Sequence, residues 1–290
     1  ISSYIVYTFP NTKNKTYINH DIYDAPMVSR VNENNLIRSF YTYDYIFMSS
    51  NITSEMLTKK IEEFSIKEKN LIKPKIINTG YLKLDHVYRI INNNKGKEDA
   101  ILLAPTKSLV FPEYDMSSFI KKIIEKILAN KEFKLIYRPH PGDLKDYGRK
   151  KIIMEIYDYF KSNSNFTLDI NTSYIESYKK AKIMITDFSG TAYTYAFCKL
   201  KPIIFFSQNE KNLLNSDLAN LYYFKDRTKI GIIEPNIENI NNSINTIEKK
   251  INTFSDSIKT LRNNRIEHFN NSMEQNLFNI KKILENIKND

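Results

Sequence analysis

The sequence contains one cysteine, no tryptophan and only six glycines among its 290 residues. Because a disulfide bond needs two cysteines, Cys198 excludes an internal disulfide, and no cysteine-based metal site is available. No apolar run reaches the roughly eighteen residues of a membrane-spanning helix, and no secretory signal peptide is evident. The chain begins at Ile1 inside a predicted strand, so we expect a segment of a longer protein.

Positive charge, in contrast, is abundant, with a formal net charge of +10. This excess favours an anionic partner such as a nucleotide, a phosphate polymer or an anionic membrane surface. The basic residues are scattered, and neither zinc-finger spacing nor an Arg-rich aromatic motif is present, so we do not expect nucleic acid as the partner. We expect a cytoplasmic protein, or one peripheral at the inner face of the cell membrane.

Short apolar runs alternate with helical patterns, which predicts an α/β fold with mainly parallel sheets. The polar segment Ile91–Asp99 is the best linker, and it divides the chain into a domain of residues 1–92 and one of residues 93–290 that includes the C-terminal helices. The first domain holds too few strands for a complete doubly wound fold, so we expect it to be partial. The predicted strands are Ser3–Phe9, Thr16–Asn19, Tyr45–Ser49, Lys75–Thr79, Ala100–Ala104, Lys134–Arg138, Phe166–Leu168, Ile183–Thr186, Pro202–Phe206 and Ile230–Ile233.

The most informative segment is a strand that ends at Asp187 and is followed by Ser189, Gly190 and Thr191 at the start of a helix. Open α/β folds bind ligands at the carboxyl edge of the sheet, and a helix N-terminus offers N–H groups to a phosphate. Two hydroxyls and a glycine that permits close approach strengthen this interpretation. The alternative is that Ser189 or Thr191 only caps the helix.

A second strand leads into a loop that carries Arg138 and His140, with Pro139 and Pro141 fixing its path. A guanidinium presents a planar fork of donors to a diphosphate, and an imidazole can donate to a phosphoryl oxygen or act as an acid. We therefore expect both side chains to bind the diphosphate of a nucleotide. A histidine with a purely structural role is the alternative.

The first domain has its own candidate, His20 followed by Asp21, at the end of a predicted strand. A histidine beside carboxylates at a strand end is typical of a general base, because neighbouring negative charge supports its pKa. A surface loop in which aspartates make turns is the alternative. Thr106 also follows a strand and is placed to line a cleft between the domains, although by itself it is typical of any loop.

Taken in order, these segments resemble the CDP-glycerol glycerophosphotransferase family, which builds and primes teichoic acids and related capsule polymers. The polymerases differ at two points, with His-Gly where this chain has His20-Asp21 and Ser-Ser where it has Ser189-Gly190. After Phe206 only Glu210 and Arg227 stand as counterparts of the family's acidic and Arg-Gly elements. The resemblance rests on His20, Gly80–Asp85, Ala104–Thr106, Pro139–Pro141, Thr186–Gly190 and Pro202–Phe205.

This resemblance implies a GT-B fold, in which two Rossmann-like domains face a cleft, a CDP-linked donor, no cofactor and metal-independent transfer. The acceptor would be a hydroxyl of a cell-surface polymer or glycan, free or lipid-linked. We expect His20 to take the hydroxyl proton, with Asp21 or Asp24 orienting it. The donor's nucleotide and diphosphate would be held by Thr106, Arg138, His140, Asp187, Ser189, Gly190 and Thr191.

Two other functions remain open from the sequence. A GT-B glycosyltransferase of capsule or lipooligosaccharide synthesis would use the same residues to hold the leaving nucleotide of a sugar donor. A non-catalytic module that binds nucleotides or anionic polymers would need no base at His20.

Overall fold

The computed structural model describes residues 1, 14–23, 33–93, 96–109 and 111–289, and the predicted strand Ser3–Phe9 and Asp24 lie outside them. None of the helices described has both the length and the apolar character that crossing a bilayer requires. The strands are β1 (Thr16–Ile18), β2 (Tyr45–Met48), β3 (Lys75–Asn78), β4 (Ala100–Leu103), β5 (Lys134–Tyr137), β6 (Phe166–Leu168), β7 (Ala181–Thr186), β8 (Ile203–Phe206) and β9 (Gly231–Glu234). The helices are α1 (Glu33–Phe40), α2 (Asn51–Lys67), α3 (Leu82–Asn93), α4 (Ile120–Ala129), α5 (Pro141–Lys145), α6 (Tyr147–Phe160), α7 (Ile175–Lys180), α8 (Thr191–Lys199), α9 (Glu210–Leu214), α10 (Tyr222–Lys225), α11 (Arg227–Ile230), α12 (Ile240–Lys249), α13 (Ile251–Arg265) and α14 (Ser272–Asn289).

The chain forms two compact units, each with its own parallel sheet. The first unit comprises Ile1–Arg89, Leu221–Tyr223 and Arg262–Asp290, and the second comprises Ile90–Asn220 and Phe224–Leu261. The α/β architecture with parallel sheets that the alternating pattern predicts is therefore confirmed.

In the first unit, the three strands pair in the order β1-β2-β3. Their apolar side chains pack against α1 and α2, with Ile46 of β2 fully buried at the centre. Helix α2 begins where the Ser50 hydroxyl accepts a hydrogen bond from the N–H of Thr53. This is a normal N-cap, and it turns the chain at the carboxyl end of β2.

In the second unit, six parallel strands follow the order β6-β5-β4-β7-β8-β9. The chain starts at the centre with β4, proceeds outward to β6, and then returns to β7 on the other side of β4. This is the doubly wound order, and the direction of winding reverses between β4 and β7. The four inner strands are buried on both faces, which explains why their sequences are nearly continuous apolar runs rather than alternating ones.

The division of the chain differs from the predicted one at its C-terminal end. The predicted second domain includes all the C-terminal helices, but α14 belongs to the first unit. Its start is fixed by Asp85 of α3, whose carboxylate accepts hydrogen bonds from the N–H of Asn270 at 2.7 Å and that of Ser272 at 2.8 Å. Contacts between residues so distant in sequence leave no local pattern, which is why the sequence did not reveal that α14 belongs to the first unit.

The predicted linker is also shorter than expected, because Ile91–Asn93 forms the last turn of α3. Leu84, Val87 and Ile91 recur at helical spacing, and all three side chains are buried. Burial of this stripe outweighs the low helix propensity of the asparagines that follow Ile91.

We expect Gly231→Ala to destabilise the second unit strongly. A Cβ atom at Gly231 would lie 1.9 Å from the carbonyl oxygen of Ile203, its register partner on β8. Overpacking costs about 1–3 kcal/mol, and a clash with backbone belongs at the upper end of that range. Urea unfolding followed by circular dichroism measures the loss.

The matched control is Gly148→Ala, where the added Cβ would meet Asp146 Oδ1 at an ordinary 3.5 Å within α6. Alanine is the better helix former, so this change is expected to stabilise by roughly 0.5–1 kcal/mol. Equal urea midpoints for the two variants would contradict the prediction.

Candidate functional site

The candidate site lies at the carboxyl edge of the six-stranded sheet, where the loops after β4, β5 and β7 meet. Backbone bonds join these strand ends, from the N–H of Ala104 to the carbonyl of Ile185 and from the N–H of Arg138 to that of Leu103, each at 2.9 Å. Since the winding reverses between β4 and β7, this is the point where doubly wound sheets open a crevice for ligands.

The carboxylate of Asp187 ties the loop after β4 to the turn after β7. Its Oδ1 accepts hydrogen bonds from the N–H groups of Thr106 at 2.9 Å and Phe188 at 2.8 Å, and its Oδ2 accepts one from Met116 at 3.2 Å. Burial raises the pKa of Asp187 to about 6, although these hydrogen bonds oppose the shift. With 3% of the residue exposed, Asp187 braces the turn, and Thr106 contributes its backbone to that brace.

Two further buried carboxylates hold the same loop. Asp143 accepts hydrogen bonds from the backbone N–H and the hydroxyl of Ser108, and Asp115 accepts from the N–H groups of Leu109 and Ser117. The path of the loop after β4 is therefore fixed by hydrogen bonds to three carboxylates, those of Asp115, Asp143 and Asp187.

His140 caps α5 with its imidazole. The Nδ1 atom accepts a hydrogen bond from the N–H of Gly142 at 3.0 Å, so in the neutral ring the proton resides on Nε2. Burial lowers the pKa of His140 below its ordinary value; the Lys107 ammonium adds to this effect and Asp143 opposes it. The structure thus presents a neutral imidazole whose Nε2–H is the hydrogen-bond donor.

Lys107 is a cation of this site that the sequence did not single out. A Cβ atom at Gly142 would lie 3.2 Å from Lys107 Cδ and 3.0 Å from His140 Nδ1, which shows that the lysine stem packs beside the histidine. Lys107 itself is exposed. In a sequence so rich in lysine, only its place one residue after Thr106 could have drawn attention to it.

The Arg138 guanidinium, in contrast, makes its hydrogen bonds inside the protein. It pairs with Asp169 at 2.6 Å and donates to the carbonyl oxygen of Asn171 at 2.8 Å. Burial would raise the pKa of Asp169, but hydrogen bonds from Ser177 and Asn171 and the pairing with Arg138 hold it below its usual range. Arg138 therefore secures the loop after β6 against the loop that carries His140.

The turn after β7 leaves the N-terminus of α8 open. No side chain caps the helix at Gly190, and a Cβ atom there would find no heavy atom within 4 Å. The Thr191 hydroxyl is hydrogen-bonded to that of Tyr178, whose pKa burial raises well above its ordinary value. Ser189 is buried beside them, so backbone N–H groups are the main donors that this turn offers to an anion.

Glu210 and Arg227, separated by sixteen residues, form one buried ion pair beyond the end of β8. The guanidinium donates to both carboxylate oxygens, at 2.6 and 3.1 Å, and lies 4.8 Å from the ring centroid of Phe224. A bidentate pair of this kind is geometrically specific. It places a carboxylate near the same sheet edge as the phosphate-binding candidates.

His20 and Asp21 lie in the first unit, at the carboxyl end of β1. The His20 Nε2 atom is 3.9 Å from Asp21 Oδ2, and both side chains are about half exposed. The loop is held by Tyr81, whose hydroxyl donates to the carbonyl of His20, and by Ser49, whose hydroxyl donates to the carbonyl of Asp21. The predicted position of His20 at a strand end and beside a carboxylate is what the structure shows.

Among the residues that the structure describes, no group of three His, Cys, Asp or Glu side chains is arranged to hold a metal ion.

This chain is similar to known proteins in both sequence and fold. The family model described as LIC12162 family transferase matches residues 83–284. The minor teichoic acid biosynthesis protein GgaB of Bacillus subtilis strain 168 is 26% identical in an alignment 252 residues long, which covers 71% of this chain and 25% of that protein. The chain therefore spans about a quarter of the length of the curated relative that it matches.

Among solved structures, the wall teichoic acid polymerase TagF superposes with a TM-score of 0.62 at 17% identity, over 97% of this chain and 70% of that one. A histidine-to-asparagine variant of that polymerase soaked with CDPG gives 0.60 at 17% identity, over 97% and 69%. UDP-GlcNAc 2-epimerase of Methanocaldococcus jannaschii gives 0.50 at 18% identity, over 93% and 70%. At such identities these structures show the fold, which is GT-B as predicted.

The match to the family model covers more than half of the chain and includes every candidate residue of the second unit. The glycerophosphotransferase resemblance that the motifs predicted is confirmed by the teichoic acid relatives. The chain belongs to the LIC12162 family of transferases.

Proposed function

We propose that this transferase moves a polyol phosphate, of the glycerol phosphate or ribitol phosphate type, from a CDP-linked donor to a hydroxyl of a cell-surface polymer or glycan. Support comes from the relatives, one a teichoic acid biosynthesis protein and another a teichoic acid polymerase that has been soaked with CDPG. We further propose that it acts in the cytoplasm, at the inner face of the membrane where a lipid-linked acceptor would be found.

The observation that carries the proposal is the donor set at the carboxyl edge of the second sheet. The uncapped N-terminus of α8, with open space above Gly190, offers N–H groups and the positive end of a helix dipole. From the loops after β4 and β5, the Lys107 ammonium and the Nε2–H of His140 add a full charge and a neutral donor. Together they match the two phosphates of a nucleotide diphosphate.

The same groups would stabilise charge during transfer. The acceptor oxygen forms a bond to the β-phosphorus, the bond from that phosphorus to the bridging oxygen breaks, and CMP leaves. Negative charge then grows on the CMP phosphate, where donors already fixed in place lower the barrier. Arg138 acts indirectly, because its pairing with Asp169 positions the loop on which His140 lies.

His20 accepts the proton of the attacking hydroxyl in this proposal. The nearby Asp21 carboxylate stabilises the imidazolium that forms and restrains the orientation of the ring. As the resemblance implies, the transfer needs neither a metal ion nor a cofactor, so turnover should persist in EDTA.

Calorimetric titration of the chain with CDP, UDP, GDP and CMP tests the donor site. We expect CDP to bind best and Lys107→Ala to weaken that binding about tenfold, as the loss of one charge-assisted hydrogen bond would. Arg138→Ala is a poor probe, because it would leave the buried Asp169 carboxylate unpaired and disturb folding.

The control for this titration is Lys151→Ala, which removes an exposed lysine of α6. Preference for UDP or GDP would replace the polyol phosphate by a sugar as the transferred group, as in a GT-B glycosyltransferase. If no nucleotide binds, the donor-site assignment is wrong.

His140 should make the stability of the chain depend on pH. The pKa of His140 is lower in the folded protein than the value near 6.5 that it has in the unfolded chain. Between these two pKa values the unfolded state therefore binds more protons than the folded state. The contribution of His140 is therefore present above about pH 6.5 and lost as the pH falls through the folded pKa. The stability advantage of wild type over His140→Asn, measured by urea unfolding, should shrink from pH 7.5 to pH 5 (roughly the range in which histidine titrates).

Asparagine is the matched substitution, because it also caps helices but does not titrate. A difference between the two proteins that stays constant over this range would show that His140 titrates alike in the folded and unfolded chains, against a pKa that folding lowers.

The base assignment is tested by His20→Ala in a turnover assay with CDP-glycerol and CDP-ribitol. Removal of a general base lowers the rate by roughly 10²–10⁴-fold, while CDP binding to the second unit should be unchanged. The control is His86→Ala, which removes an exposed histidine of α3 in the same unit. Equal turnover by the two variants would exclude His20 as the base, and binding without any wild-type turnover would indicate a non-catalytic module.

A further inference from the structure

A groove of about 540 Å³ lies between α4 and α6, next to the end of the loop after β4. It is separate from the donor site, because Thr106, His140, Ser189 and Gly190 are not among its lining residues. Its lining includes Leu109, Lys121, Arg149, Ile152 and Tyr159.

The groove exposes an unusual amount of carbon surface. Leu109 is 56% exposed, Ile152 46% and Tyr159 60%. Single exposed apolar residues are common on protein surfaces, but three on one concave feature indicate contact with a ligand or partner. A ligand that covers this surface must therefore present carbon to it.

Two cations flank this surface. The Lys121 ammonium lies 3.9 Å from the ring centroid of Tyr159, which holds it over the groove. The Arg149 side chain also lines the groove, and no carboxylate in the described part of the chain lies within 4.0 Å of its guanidinium. Glu155 is the acidic member of the lining, and Glu125, outside it, lies 4.0 Å from the Lys121 ammonium. Among the lining residues themselves, cations therefore exceed carboxylates.

We propose that this groove binds the acceptor as a polyol phosphate chain, whose phosphodiesters pair with Arg149 and Lys121 while its carbons pack on Tyr159 and Ile152. The proposal rests on the proposed function, since it specifies the acceptor for that reaction. A chain that alternates three- or five-carbon units with single charges suits a groove that presents both carbon surface and cations.

The groove and the donor site share one rigid segment. The loop after β4 carries Lys107 at the donor site and Leu109 at the groove, with Ser108 between them bound to the buried Asp143 carboxylate. An acceptor that lies in the groove would consequently be held in a constant position with respect to the donor diphosphate.

Fluorescence anisotropy with a short labelled glycerol phosphate oligomer tests the groove in the absence of donor. Arg149→Ala and Tyr159→Ala should each weaken binding about tenfold. Lys150→Ala, which removes an exposed cation next to Arg149 that does not line the groove, should change it by less than about twofold. All three variants should bind CDP as the wild type does.

Equal weakening by Arg149→Ala and Lys150→Ala would overturn the proposal, because binding would then follow overall charge. So would unchanged oligomer binding combined with lost binding to vesicles of anionic lipid, which would make the groove a membrane contact. Failure of the proposed function gives a different result: the wild-type protein would bind the oligomer but would not bind CDP.

Discussion

The Asp187 carboxylate accepts hydrogen bonds from three backbone N–H groups that belong to two distant segments of the chain. Removing this charge from water without a cation is costly, and the raised pKa of Asp187 reflects that cost. The three hydrogen bonds offset it and fix both ends of the loop after β4. The positions of Lys107, beside His140, and of Leu109, at the groove, depend on that loop.

The same need of buried polar groups for hydrogen-bond partners explains the position of Arg138. At a sheet edge, a buried guanidinium must find acceptors, and Asp169 and the Asn171 carbonyl supply them. The arginine of Arg-Pro-His-Pro therefore stabilises the fold, whereas the histidine presents its Nε2–H donor. Lys107, in contrast, is exposed, and its side chain lies beside His140.

Most strands could be predicted from the sequence, because strands buried on both faces are continuous apolar runs between polar turns. The ends of β4, β5 and β7 agree with the predictions to within one residue, except that β7 starts two residues earlier. The last turn of α3 and the place of α14 could not be predicted. The first depended on a short apolar stripe that runs up to a series of asparagines, and the second on hydrogen bonds to Asp85 that span more than 180 residues.

The sequence by itself determined the fold class, the strand ends at which polar residues gather, and a resemblance that led to the right family, since all of these are local patterns in a fixed order. Only the tertiary structure decided what each polar residue does there. In the folded chain, Asp187 and Arg138 are buried, Nε2 is the donor atom of His140, and Lys107 lies beside His140. Those outcomes depend on which donors and acceptors meet after folding, and burial leaves such groups no water to bond instead.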